Sequence, residues 1–490
     1  MTDNQTRSCS KVSGLNAAGE RDEFFYLSAI NRASLVTNVE CGLLSAEKAK
    51  RFAPAIASVT AQGEADPQKR TDRVIKYEPM LIEIAGNEIT ELHIGRSSQD
   101  MHSTYRVGMT RDDTLKVHKA LSGLLDLVST LAKAYRDVVV PNYTNGVAAQ
   151  PNSLAHYLLG MSEALVRART RLEEFYVRAN RCSMGSTVLN GTGWPLDRIA
   201  MARRLGFDGI IENAFDATQG APVDLPVEFT QIMQSIALPI GSFIQDVLVQ
   251  YAQPRPWMIL QEGGDNTYVS SAMPQKRNPG LLNNTRTLAS SVCAGSVELA
   301  FLMHNLMPGM QDAKNVSYRK AIADKTLQLL GMTCKILKAL KVNPDRALEE
   351  LNSDWTATQE VADQLMKNYG VPFRVGHHVA SGMVGYARAN GITPLEFPYS
   401  KMQEIFREVT AKEWHEEELR MSEEEFKNAL DPKRIVANRK TIGAAQPESL
   451  DRMLATRDQQ NAAAHEWDAQ KEEKINAALL ALESEFNAYL

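Results

Sequence analysis

The sequence predicts an all-α fold organised around a central bundle of five long helices, and three observations carry that reading. Strand signals are sparse, helix-period segments recur and outrun the usual globular length, and the longest are apolar on more than one stripe, as helices buried in a bundle must be. Asp22 to Val39 and Ala46 to Gln62 read as two amphipathic helices, the second opened by Ser45 as a cap with Glu47 and Lys48 behind it. Asp113 to Val139, Leu154 to Arg178 and Glu228 to Tyr251 follow as longer helices, with Pro239 placed to kink the third. Asn283 to His304 and Tyr318 to Leu340 complete the five. Beyond Pro344 the helices shorten, with Pro372 and Pro394 as punctuation. The expected organisation is an N-terminal helical domain over 1–100, the bundle over 101–353 and a C-terminal helical domain over 354–490. Its last segment, Asp458 to Leu490, carries Trp467, Ile475, Leu479, Leu482, Phe486 and Leu490 at roughly helical spacing, so it is expected to pack on a neighbour.

A chain of 490 residues buries a sizeable core, and its evenly mixed charge, net −5, argues against a nucleic-acid partner. The five cysteines, Cys9, Cys41, Cys182, Cys293 and Cys334, lie far apart with no metal or redox spacing, which fits a reducing cytoplasm. The first nineteen residues are polar and no run approaches eighteen apolar residues, so neither export nor membrane insertion is expected. Nucleotide-loop, zinc-ligand and cofactor-lysine patterns are absent too, and the expectation is a protein that uses no cofactor and no metal.

The most informative stretch is Ser270-Ser271-Ala272-Met273-Pro274-Gln275-Lys276-Arg277-Asn278-Pro279-Gly280. It sets paired hydroxyls, a lysine and an amide on one short loop bounded by proline and glycine. Serine becomes a base only when its alkoxide is stabilised, and a cation six residues on, with backbone N–H groups around the Pro274 turn, can supply that stabilisation. Upstream, Gln261 to Thr267 lacks apolar periodicity and holds Gly263 and Gly264, which reads as a mobile lid.

The loop resembles the signature of the aspartase/fumarase superfamily, Gly-Ser-Ser-x-Met-Pro-x-Lys-x-Asn-Pro, departing at Val269 where glycine is usual. That resemblance implies that Ser270 removes a proton beside a carboxylate while Lys276 and Asn278 bind the resulting dianion; Ser271 and Met273 on the same loop count as candidate substrate contacts. Cys182 to Ser186 with Gly191 to Arg198, Val371 to His377, and Thr441 to Pro447 are similar to runs of the argininosuccinate lyases within it. The resemblance spans about Glu20 to Leu454 and implies a three-domain, all-α subunit, a homotetramer, and active sites assembled from three subunits.

Two further loops of that family have counterparts here, both altered. His93 to Asp100 resembles His-Thr-Gly-Arg-Ser-Arg-Asn-Asp, keeping Arg96 and Ser97 but holding Ser98 and Gln99 where the family has substrate-binding arginine and asparagine. A bidentate carboxylate clamp is thereby lost at Ser98. Arg96 is a candidate substrate contact or, equally, a structural arginine paired with Asp100 or a helix end. Asn142 to Pro151 resembles Gly-Tyr-Thr-His-x-x-x-Ala-Gln-Pro; Thr144 is kept as a carboxylate donor, and the histidine to which the family assigns a general-acid role is Asn145. Asparagine delivers no proton near neutral pH. The glutamate that supports the family's histidine is Asn283 here. At the amine end the family's tyrosine, lysine and glutamine fall on Met310, Asp312 and Asn315, with Lys314 the lysine placed to reach the site.

These readings imply a carbon–nitrogen lyase that removes fumarate from an N-substituted L-aspartate and releases an amine, closest in pattern to the lyases acting on ethylenediamine-disuccinate (EDDS). An argininosuccinate lyase of arginine synthesis and a silent, crystallin-like structural tetramer are the alternatives.

Overall fold

A computed structural model describes residues 11–309, 316–415 and 418–490. The N-terminal part holds α1 (Glu23–Glu40), α2 (Ala46–Ala65) and α3 (Val74–Ala85). Then come α4 (Ser98–Ala134), the hairpin β1 (Val139–Thr144) and β2 (Val147–Ser153), and α5 (Leu154–Ala179). Strand β3 (Arg181–Cys182), α6 (Arg198–Arg204) and β4 (Gly209–Ile210) lead to α7 (Ala221–Tyr251). Strands β5 (Met258–Leu260), β6 (Tyr268–Val269) and β7 (Arg277–Asn278) precede α8 (Gly280–Met303) and α9 (Val316–Ala339). Strand β8 (Leu340–Val342) is followed by α10 (Pro344–Ser353), α11 (Thr358–Tyr369), α12 (Phe373–Asn390), α13 (Tyr399–Glu413), α14 (Glu423–Leu430), α15 (Pro432–Ala437) and α16 (Pro447–Asn487). The fold is all-α, and α4, α5, α7, α8 and α9 form the five-helix bundle.

Helix α4 begins fifteen residues before the expected Asp113, at Ser98. Its first half escapes a hydrophobic-periodicity reading because it buries polar groups: Asp100, Thr104, Arg111, Asp112 and Asp113 are all inside. They are paired. Arg21 and the Tyr26 hydroxyl donate to Asp112, and Arg111 donates to the Gly206 carbonyl at 2.7 Å. Gly108 is needed on this face, because a Cβ there would lie 2.5 Å from the Tyr26 ring of α1. Helix α7 likewise starts seven residues before the expected Glu228 and runs through both Pro226 and Pro239.

The terminal helix is 41 residues long and starts at Pro447, ahead of the expected Asp458. Grouped from sequence with the C-terminal domain, it instead buries Ile475, Leu479, Leu482 and Phe486 in the main core, whereas 355–435 close around a separate smaller core. Polar contacts hold it as well. Fully buried His118 of α4 lies between Asp468 of α16, 2.7 Å from Nδ1, and Glu173 of α5, 3.1 Å from Nε2. A carboxylate at each ring nitrogen favours the imidazolium, in which both nitrogens donate. Burial opposes that charge, but the two carboxylates prevail and raise its pKa above the ordinary value. A folded-state pKa above the unfolded one, about 6.5, gives stability that is complete below that pH and lost as pH rises through the folded value. The melting temperature is therefore expected to fall more steeply from acid to alkaline pH in the native chain than in His118→Gln; identical slopes would refute the assignment.

Among the described residues, one helical stretch, Asp216–Tyr251, is long and apolar enough by length and composition to cross a membrane, a feature the expectation of no long apolar run did not foresee. Within the fold its inner residues, including Phe229, Ile236, Phe243 and Val247, belong to the bundle core.

Candidate active site

The Ser270 segment is the tip of a small antiparallel ribbon in which Tyr268 pairs with Asn278 and Val269 with Arg277. The β-branched Val269 suits this extended position, where the expectation noted a missing glycine. The Ser270 N–H donates to the Lys276 carbonyl at 3.1 Å, and the Lys276 N–H to that of Met273 at 3.0 Å. These bonds curl the tip so that the Ala272 and Met273 amides both donate to Ser270 Oγ, each at 3.3 Å. Hydrogen bonds of this kind favour an alkoxide over a hydroxyl. Ser270 is half-buried; Ser271, Met273 and Lys276 are exposed. The chain passes from Asn278 through Pro279 straight into α8, whose first-turn amides and positive dipole end favour a carboxylate. Asn283 is half-buried in that first turn.

Thr144 and Asn145 lie at an exposed hairpin tip. Asn145 has φ 54° and Gly146 φ 77°, the backbone of a two-residue turn with both central residues left-handed, which Asn-Gly adopts readily. Thr144-Asn145-Gly146-Val147 carried that signal in sequence, where only a loop was expected. Below the tip, Tyr143 donates to Glu350 and its oxygen accepts from Trp257 Nε1 at 2.7 Å.

The third segment opens α4. Ser97 is its N-cap: Oγ accepts from the Gln99 N–H at 3.2 Å, and the Ser97 N–H donates to Asp100 at 2.8 Å. Asp100 also accepts from the Gly185 and Thr187 amides, at 3.1 and 2.9 Å, pinning the 183–187 turn to the helix start. Burial nevertheless pushes its carboxyl up to about 7. Asp100 was missed as an organising residue, although Ser97-x-x-Asp100 is a capping-box pattern. Arg96 needs correcting as a substrate contact. It is buried and donates to Ser34 Oγ at 3.0 Å and Asn31 Oδ1 at 2.9 Å, so its guanidinium is engaged with α1. Burial pushes its pKa down to about 10. Ser98 and Gln99 are half-buried in the first turn. Lys314, with Met310, Asp312 and Asn315, lies outside the described residues.

One chain does not bring these segments together. The 37 residues of α4 span about 55 Å at about 1.5 Å per residue. Ser97, Ser98 and Gln99 are at its start, and Thr144 and Asn145 follow its end. The Ser270 loop is rooted at the hairpin end, since Trp257, which bonds Tyr143, directly precedes β5. In contrast Gly309, last before the 310–315 segment, donates to Gln219 near the start of α7, whose neighbour Thr218 bonds Val188 close to the start of α4.

Comparison with known proteins decides the family. A lyase family model matches residues 28–294, and an argininosuccinate lyase C-terminal model matches 354–437. The chain belongs to the argininosuccinate lyase branch of the aspartase/fumarase superfamily. The argininosuccinate lyase of Archaeoglobus fulgidus is 28% identical over 457 residues, covering 91% of this chain and 89% of that one. That of a Hydrogenobaculum species is 31% identical over 327 residues, covering 67% and 70%. The crystal structure of EDDS lyase with formate superposes with a TM-score of 0.85 at 25% identity, over 95% of this chain and 92% of that one. This branch member is a fumarate-forming carbon–nitrogen lyase.

Proposed function

We propose that the enzyme eliminates fumarate from an N-substituted L-aspartate of the EDDS-like aminopolycarboxylate class and releases an amine other than arginine. The observation that carries the chemistry is Ser270 Oγ held by the amides of Ala272 and Met273 on a loop that runs into the start of α8. Ser270 takes the proton from the carbon beside one carboxylate. Lys276, Asn278 and the helix start hold the dianion that forms, and its electrons then expel the nitrogen as the C–N bond breaks. Thr144 and Ser97 bind the substrate's carboxylates; Ser271 and Met273 flank it. The leaving nitrogen takes its proton from water or from the substrate itself, because Asn145 donates none.

The separation of these groups along α4 supports sites completed between copies of the chain, and hence a homotetramer. Leu238, Val297 and Phe301 are exposed on bundle helices α7 and α8, where such copies would cover them. Ser98, Asn145 and Asn283 support an amine other than arginine, since each is a small neutral residue where the family places an arginine, a histidine and a glutamate, and Gln99 lengthens the family's asparagine beside them. The second reading, argininosuccinate cleavage, is favoured by the matched C-terminal model and the sequence relatives.

Absorbance of fumarate separates the two readings: release from EDDS with argininosuccinate left intact is expected, and the reverse preference overturns the proposal. Asn145→His with Asn283→Glu is expected to add argininosuccinate cleavage, because histidine also tolerates the left-handed backbone at 145. Failure of a well-folded double variant to gain it would show that these positions do not set the leaving group. Absence of turnover on any N-substituted aspartate would point to a silent structural tetramer.

A further inference from the structure

Beneath the hairpin lies a partly open pocket of about 240 Å³ between β1, β5, α5 and α7. Three aromatic residues line it, Tyr143, Tyr157 and Trp257, together with Gln250 and one carboxylate, Asp246. Tyr157 donates to Asp246 at 2.7 Å, and the Trp257 indole N–H to the Tyr143 oxygen at 2.7 Å. No lysine, arginine or histidine lines the pocket, and among the described residues no cationic side chain pairs with Asp246. Glu350 sits one hydrogen bond behind Tyr143, where Arg346 lies 3.6 Å from it.

We propose that this pocket is a second ligand site, for a small organic ammonium ion. Aromatic rings attract a cation through their quadrupoles, and Asp246, which no cationic side chain neutralises, supplies an opposite charge beside them. The volume admits a small ion rather than a drug-sized molecule. Strand β1 forms one wall and continues directly into Thr144 and Asn145, so an occupant rests against the base of the hairpin that carries them. No residue of the Ser270 loop lines the site, and the proposal does not depend on which amine the reaction releases.

Choline tests this, because its quaternary nitrogen has no N–H to add across fumarate and it cannot be turned over. Calorimetric titration of the intact enzyme is expected to show saturable choline binding, one ion per chain. The neutral isostere 3,3-dimethylbutan-1-ol should bind at least about tenfold more weakly, and Asp246→Asn should weaken choline by a similar factor. Asp246 is exposed, so the substitution leaves the core intact. Binding in Ser270→Ala is expected to match the native enzyme. No saturable binding, equal binding of the neutral alcohol, unchanged affinity in Asp246→Asn, or loss confined to Ser270→Ala would each overturn the proposal.

Discussion

Ser270→Ala is expected to lower the rate of fumarate formation by about two to four orders of magnitude, the scale of losing a positioned general base. The substitution removes the oxygen that accepts the Ala272 and Met273 amides, so the proton acceptor disappears while the backbone bonds that curl the tip remain. Folding should be unaffected, since the loop is a surface ribbon closed by its own backbone bond from Ser270 to Lys276. Fumarate absorbance and a thermal melt on one preparation check both halves. Near-native turnover would remove Ser270 from the mechanism, and a collapsed melt would make the rate loss uninformative. Ser271→Ala, on the exposed side of the same turn, then separates the pair.

Arg319→Met is expected to cost about 3–5 kcal/mol of folding stability, the scale for stripping one partner from a buried ion pair. Arg319 of α9 donates to Asp113 of α4 at 2.6 Å, and both side chains are almost entirely enclosed. The guanidinium also lies over the Phe229 ring of α7, with 5.5 Å to its centroid, so one side chain joins three bundle helices. Methionine recovers the packing and leaves Asp113 without its bonded cation. A lower urea midpoint at unchanged slope is the expected readout. Adding Asp113→Leu should restore most of the loss, because an apolar pair of similar volume replaces a buried salt bridge at little net cost. A single variant as stable as the native chain would mean that water reaches this pair.

The parts of the fold written as apolar periodicity could be read from sequence: α5, α8 and α9 lie within a few residues of their expected bounds. Helix α4 was shortened because its first four turns are buried through hydrogen bonds and ion pairs, which leave no stripe to detect. The Ser270 loop was legible because a base, a cation and backbone donors are neighbours along the chain. Arg96 was not, since its choice between a ligand and Asn31 with Ser34 depends on residues some sixty positions away. The pocket beside Asp246 was equally hidden: its aromatic residues come from β1, α5 and the turn before β5.

A rod about 55 Å long with the Ser270 loop and the hairpin at one tip and Ser97 at the other has a kinetic corollary. With sites completed between copies, as proposed above, mass action enters the rate law: diluted below the dissociation constant of the assembly, the enzyme loses turnover per chain. Specific activity then depends on enzyme concentration, and assays run at widely different dilutions report different enzymes.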